Sequence, residues 1–241
     1  MTQTNNQTNQ NVLVEYDCDG QKVKLSPQII KDYLTNGQAI TMPEFKMFTE
    51  LCKAKKLNPF LKQAYIIKFG NSPASIVVSK DVFLQRANNN QSYDGKENGV
   101  ITRNKESGTI TERNGAFCPI DEEIVGGWCK VYRKDRKYAE YVSVSIEECA
   151  KKKSNGELNT NWTSQKGTMI EKVAISRALR NAFPDEFSGM YIEEEMPANK
   201  EEQPQGVQED PMESKKVDAE IIDVTPNAKE VDINSLWCTT L

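Results

Sequence analysis

Arg133, Lys134, Arg136 and Lys137 crowd four cations around one aspartate, Asp135. Such side chains pair with successive phosphates of a polyanion and need read no base to do so. The residues before them alternate, with Trp128, Lys130 and Tyr132 on one side and Cys129, Val131 and Arg133 on the other. That period of two marks a strand with two different faces. A second alternation, Tyr138, Glu140 and Val142, follows the cations. The pattern predicts a hairpin ending in a positively charged prong. A solvated turn has a similar composition, so the prong alone favours nucleic acid only slightly.

A second set of cations sits in a different setting. Thr168–Phe183 reads as a helix that Pro184 stops. At about 100° per residue, Lys172, Arg177 and Arg180 share an arc of roughly 140° with Met169 and Val173. Ala174, Ile175, Ala178, Leu179 and Ala182 fill the other side. A helix this apolar is expected to be largely buried, and arginine is rarely buried unless paired. Either acids of the fold pair with these cations, or the helix floors a groove into which phosphates descend. Periodicity weighs the two alike.

Other chemistries lack their parts. The chain has no histidine, which excludes Ser/His and Cys/His nucleophile pairs, imidazole acid–base catalysis and His-ligated metals. Cysteines 18, 52, 118, 129, 149 and 238 are scattered, without a Cys-x-x-Cys pair. They read as buried small hydrophobes in a reducing compartment, with an exposed thiol at Cys238. No Gly-x-x-x-x-Gly-Lys-Ser/Thr phosphate loop occurs, so ATP-driven strand exchange lacks its usual machinery. No cofactor is expected. Asp121, Glu122 and Glu123 could serve a metal-dependent nuclease, but adjacent residues on a loop point in different directions. A solvated loop is the favoured reading.

The formal net charge of −4 argues against a nucleic-acid partner until it is divided along the chain. Residues 191–241 hold thirteen acids and four lysines, a net of −9, which leaves +5 on residues 1–190. Residues 130–180 carry twelve Lys/Arg against six Asp/Glu. An acidic tail hides a basic body. No apolar run is long enough to cross a membrane and the polar start is no signal peptide, so a cytoplasmic protein is expected.

The elements that must position these charges form an α+β series. Residues 1–11 are polar and expected to be disordered. A short strand at Val12–Val14, a turn at Asp19-Gly20 and a helix from Pro27 to Leu34 follow. Thr41 and Glu44 form a capping box; the helix they open turns Phe45, Met47, Phe48, Leu51, Cys52 and Ala54 towards a core and ends at Asn58-Pro59. Ala64–Phe69 and Ala74–Val78 read as paired strands, and Ser79 caps a helix to about Ala87. Val100–Arg103 and Thr109–Glu112 form a second hairpin, the prong comes next, and Ser145–Lys153 is a short helix. Residues 193–232 are rich in Glu, Asp, Pro, Gln and Lys, the composition of a segment that cannot fold alone.

Three blocks in order give this chain a resemblance to the RecT/Redβ (Bet) family of phage single-strand annealing recombinases. One is Leu57-Asn58-Pro59-Phe60-Leu61-Lys62-Gln63-Ala64-Tyr65, similar to the family's Gly-Leu-Asn-Pro segment with its downstream tyrosine. The second is Cys129-Lys130-Val131-Tyr132-Arg133-Lys134-Asp135-Arg136. The third runs from Trp162 and Ser164 through Met169 and Lys172 to Arg177, Arg180 and Phe183. Ile76–Asp81 and Tyr93-Asp94-Gly95 lie between them at matching spacings. Lys56 departs from the family's usual glycine, and residues 97–123 match poorly.

The resemblance implies single-stranded DNA binding, ATP-independent annealing of complementary strands into duplex, and assembly into rings or helical filaments. It also implies a partner 5′→3′ exonuclease from the same phage and, through the region beyond the core, a host single-strand binding protein. It makes Lys62, Arg133, Lys134, Arg136, Lys172, Arg177 and Arg180 phosphate contacts, with Lys80, Lys137 and Lys166 as weaker ones. Annealing breaks no covalent bond and so needs no catalytic residue or metal. It needs a basic groove that leaves base edges free. Tyr65, Trp128 and Tyr132 could stack on bases, although aromatic residues on strands are more often core. The expected organisation is residues 1–40 as a polar tail with a segment for oligomerisation, 41–191 as the annealing core of hairpins and helices around the groove, and 192–241 as an acidic tail. The tail's charge should repel DNA and compete for the groove, and its apolar end, Val231–Cys238, should dock partners. A coating protein that hinders pairing is the other alternative to an annealing protein.

Overall fold

A computed structural model describes residues 12–35, 37–68, 72–153 and 155–196. At its centre four antiparallel strands lie in the spatial order β6 (Ile110–Asn114), β5 (Tyr93–Asn104), β7 (Glu122–Arg133) and β8 (Glu140–Ser145). Cys129 pairs with Val142 and Gly127 with Val144, so one face of β7 and β8 is lined by small and β-branched residues. The helix α6 (Lys166–Ala182) packs on this face; Ile170, Val173, Ala174 and Ala178 share one core with Val100, Cys129, Val131 and Val144. Gly127 lets the helix come close, since a Cβ there would stand 3.0 Å from the Ile170 carbonyl oxygen. Trp128, Lys130 and Tyr132 alternate onto the opposite face. The sheet curls enough on that side for the Tyr141 hydroxyl of β8 to donate to Glu112 of β6 at 2.5 Å.

The N-terminal elements share this core. β1 (Val14–Cys18) and β2 (Gln21–Leu25) form a hairpin, β3 (Ala64–Ile67) pairs with β4 (Ser75–Val78), and helices α1 (Pro27–Tyr33), α2 (Met42–Ala54) and α3 (Lys80–Asn89) surround them. Buried Tyr16 donates its hydroxyl to the Leu57 carbonyl at 2.7 Å, fixing the first hairpin to the end of α2. The short helices α4 (Ile146–Cys149), α5 (Thr160–Ser164) and α7 (Pro184–Phe187) complete the fold. Phe83 of α3 stacks on Phe187 of α7 with ring centres 5.2 Å apart, and Phe187 meets Phe183 edge-on.

Mixed helices and antiparallel strands make this the expected α+β fold. Several details differ from the sequence reading. The first strand begins at Val14, and the helix expected over 145–153 is only the single turn α4. Met47 is 68% exposed and Ala54 also faces outward, because the buried stripe of α2 is narrower than expected: Phe45, Phe48, Thr49 and Cys52. Ser79 stands at the start of α3 but makes no capping hydrogen bond. Packing continues past residue 191: Ile192 is buried and the Tyr191 carbonyl accepts from Val78 at 2.8 Å. The Val231–Cys238 segment lies outside the described residues.

The Thr41–Glu44 capping box forms as expected and does more than cap α2. Glu44 also accepts from the Ala74 backbone and pairs with Lys68 at 2.8 Å, tying the helix to the β3–β4 hairpin. Burial would raise the Glu44 carboxyl, but Lys68 and the backbone donors outweigh it and hold the group down at about 2. A carboxyl depressed by folding stabilises the fold above its unfolded value and loses that contribution as pH falls through its folded one. The drop from 4.5 to about 2 corresponds to about 3 kcal/mol. Glu44→Gln should cost on that order near neutral pH, and the gap from wild type in urea midpoint should shrink from about pH 5 towards pH 2. A gap that does not change with pH would overturn this.

Candidate nucleic-acid interface

The prong is real, and its four cations divide into two kinds. β7 and β8 pair from Gly126–Ser145 out to Val131–Glu140, leaving Lys134 to Ala139 as the tip. Arg133 turns inward. Its guanidinium donates to Asp135 at 2.8 Å and to the Ala182 carbonyl at the end of α6, and lies 4.5 Å from the centre of the Phe183 ring. A cation belongs at a helix C-terminus, where unpaired carbonyls concentrate negative charge. Asp135 raises the Arg133 pKa further. The Lys134 backbone donates to the Ser92 carbonyl at 2.9 Å, which fixes the other side of the base. Lys134, Arg136 and Lys137 themselves are exposed, and none makes an ion pair among the described residues. A strut thus holds three free cations in a defined place.

Three cations of α6, Lys172, Arg177 and Arg180, are paired. Lys172 meets Glu194 at 3.0 Å, and Arg177 meets Glu148 at 2.8 Å and Glu195 at 3.7 Å. Arg180 pairs with Glu195, donates to the Met190 carbonyl at 2.9 Å and stacks over Tyr191 at 4.5 Å. Of the two readings open from periodicity, acids of the fold take these cations in this structure. Burial raises the Tyr65 phenol, and the charges of Asp81, Glu193 and Glu194 add to it despite a hydrogen bond with Ser79. The charge of the acidic turn thus reaches Tyr65.

The remaining candidates are spread out. Lys62, Lys80 and Lys166 make no ion pair among the described residues. Lys62 and Lys80 are close along the backbone, because Ser79 donates to the Gln63 carbonyl at 3.1 Å. Lys166 starts α6 while the prong base touches its end, about 24 Å away at 1.5 Å per residue. Trp128 is 3% exposed and its indole donates to the Arg113 carbonyl at 3.2 Å, so the core reading holds for this aromatic. Tyr132 is half-buried on the face away from α6, where burial and Glu97 raise its pKa. Two features escaped the sequence reading. Lys130 lies between the rings of Trp128 and Tyr141, at 5.1 and 5.6 Å. Lys152 and Lys153 are exposed just after α4, a run of lysines whose signal was visible in the basic stretch 130–180.

The acidic run is not a loop throughout, since Glu122 and Glu123 begin β7. Each carboxylate has its own partner: Asp121 accepts from Asn104 at 3.1 Å, Glu122 from Arg113 at 2.7 Å and Glu123 from Arg103 at 2.8 Å. The Arg113 contact, helped by Thr102, holds the Glu122 carboxyl at about 2. Burial pushes the Cys52 and Cys129 thiols up to about 12, which makes them poor nucleophiles at neutral pH. Cys18 is buried as well, Cys118 and Cys149 are only partly so, and Cys238 lies outside the described residues. Among the described residues no helix is long and apolar enough to cross a membrane.

A profile of the RecT family matches residues 21–207, from β2 through all the cations considered above. The chain belongs to the RecT family. A curated relative, the Recombination protein bet of Escherichia phage lambda, is 26% identical over 143 residues. That alignment covers 58% of this chain and 46% of the lambda protein, so it spans less than half the length of the relative. The RecT-family match takes in the acidic turn at Glu193–Glu195 as well as the helix it pairs with.

Proposed function

We propose that this RecT-family chain binds single-stranded DNA through its backbone and anneals complementary strands in phage recombination without ATP. The observation that carries this reading is the prong, with exposed, unpaired Lys134, Arg136 and Lys137 held by the Arg133 strut. Cations aimed at phosphates leave base edges free, which is what pairing with a second strand requires. Lys62, Lys80 and Lys166 extend the phosphate path, while Lys172, Arg177 and Arg180 form a basic groove behind Glu194 and Glu195. The protein works as a ring or helical filament of identical copies, taking strands made by a 5′→3′ exonuclease of the same phage. The acidic residues that follow the Glu193–Glu195 turn contact this exonuclease or a host single-strand binding protein.

Complementary labelled oligonucleotides test the reading. The purified protein should speed annealing without ATP and leave strand lengths unchanged in magnesium. Slower annealing would mean a coating protein, and shortened strands a nuclease. Binding should depend little on base sequence and steeply on salt. With about −0.7 per neutralised phosphate, the three free prong cations alone give a slope near −2 in log affinity against log salt. A flat response would overturn the phosphate-contact reading.

A further inference from the structure

The turn Glu193–Glu195 places two carboxylates on Lys172, Arg177 and Arg180 of α6. Glu195 is 4% exposed at its side chain, held between Arg180 and Arg177, and also accepts from the Ile192 backbone. Glu194 is 14% exposed and held by Lys172. Carboxylates enclosed this far are unfavourable unless opposite charges and hydrogen bonds compensate. Here three cations do so. Immediately before the turn the bonding changes character. Met190 and Ile192 are buried, and the Tyr191 carbonyl takes the Val78 N–H. The segment is thus anchored by apolar burial up to Ile192, and beyond it the Glu194 and Glu195 side chains are held by ion pairs.

We propose that Glu194 and Glu195 are an internal stand-in for DNA phosphates, a latch that closes the α6 cation site until single-stranded DNA displaces it. This rests on the reading of the chain as a single-stranded DNA-binding protein. A carboxylate presents a guanidinium with two oxygens much as a phosphate does. Exchange of one for the other leaves Lys172, Arg177 and Arg180 paired throughout, so the arginines are never buried uncompensated. Ile192 keeps the segment attached, and the hinge lies between it and Glu193. A site open in only a fraction of molecules binds with its affinity reduced by that fraction.

Two measurements on the full chain test the latch. Hydrogen–deuterium exchange of residues 193–196 in the wild-type protein should rise when saturating oligo-dT is added, while residues 188–192 stay protected. In parallel, Glu194→Gln/Glu195→Gln should bind oligo-dT on the order of tenfold more tightly at fixed salt. Unchanged or greater protection of 193–196 with DNA bound would show that the ion pairs are a permanent part of the fold, and would overturn the latch. So would a double variant that binds DNA no better than wild type while melting at a similar temperature. In both of those outcomes DNA binding itself survives. If neither protein binds oligo-dT even at low salt, the DNA-binding reading fails and the latch with it.

Discussion

Reversing Lys134, Arg136 and Lys137 together to glutamate should weaken single-stranded DNA binding by a hundredfold or more, on the order of 3 kcal/mol. None of the three makes an ion pair among the described residues, and Lys137 contacts only the exposed ring of neighbouring Tyr138, 5.4 Å from its centre, so removing them should leave the fold intact. What disappears is attraction to three phosphates, and what replaces it is repulsion. The salt slope should therefore flatten by about 2 in the same variant. A charge-matched reversal of Lys31, Lys46 and Lys53 on α1 and α2 controls for net charge and should change affinity only severalfold. Fluorescence titration of both variants, each checked by circular dichroism, separates the prong from a general electrostatic effect. Equal losses in the two would show that the prong has no special part. Arg133 is left out of the set because it supports the prong from within: removing it would strand Asp135 and the Ala182 carbonyl together.

The prong could be read from sequence because its signals are local. Period-two alternation on both sides of a polar run fixes a hairpin and its register without reference to the rest of the chain. The Thr41–Glu44 capping box lies within one turn, and its two hydrogen bonds form as the spacing requires. The pairing of α6 was of another kind. Its cations find acids 22 residues away for Lys172 and 15 residues away for Arg180. Composition had assigned Glu193, Glu194 and Glu195 to the acidic tail, since three glutamates before a Pro- and Glu-rich run look solvated. Burial of Ile192 is what draws them back onto the helix, and one isoleucine in a polar stretch carries little signal. The extent of the buried stripe on α2 was also hidden, because which neighbour covers Met47 or Ala54 is set by tertiary packing rather than by period.

The sheet beneath the prong has one position where a single methyl group should be ruinous. Gly99 of β5 lies opposite Trp128 of β7, and the chain beyond β6 crosses directly above it. Gly115 donates to the Asn98 carbonyl at 3.0 Å and its own carbonyl accepts from Val100 at 3.1 Å, pinning the crossing from both sides. A Cβ at residue 99 would stand 1.8 Å from the Arg113 carbonyl oxygen and 2.9 Å from the Asn114 Cα. Both are backbone atoms, so no side chain can swing away to make room. The same Arg113 oxygen receives the Trp128 indole, so moving it also strands a buried donor. Gly99→Ala should thus cost more than about 4 kcal/mol, in the range reserved for forced backbone displacement and lost buried hydrogen bonds. Gly108→Ala provides the contrast. Gly108 has φ +71 and open space around it, so alanine there meets only left-handed strain of about 1 kcal/mol. Urea unfolding of the two variants decides the matter, and a Gly99→Ala protein no less stable than the Gly108→Ala protein would mean that the crossing can lift freely. The function should suffer with the fold, because the far end of β5 pairs Tyr93 with Arg133, the strut on which the prong stands.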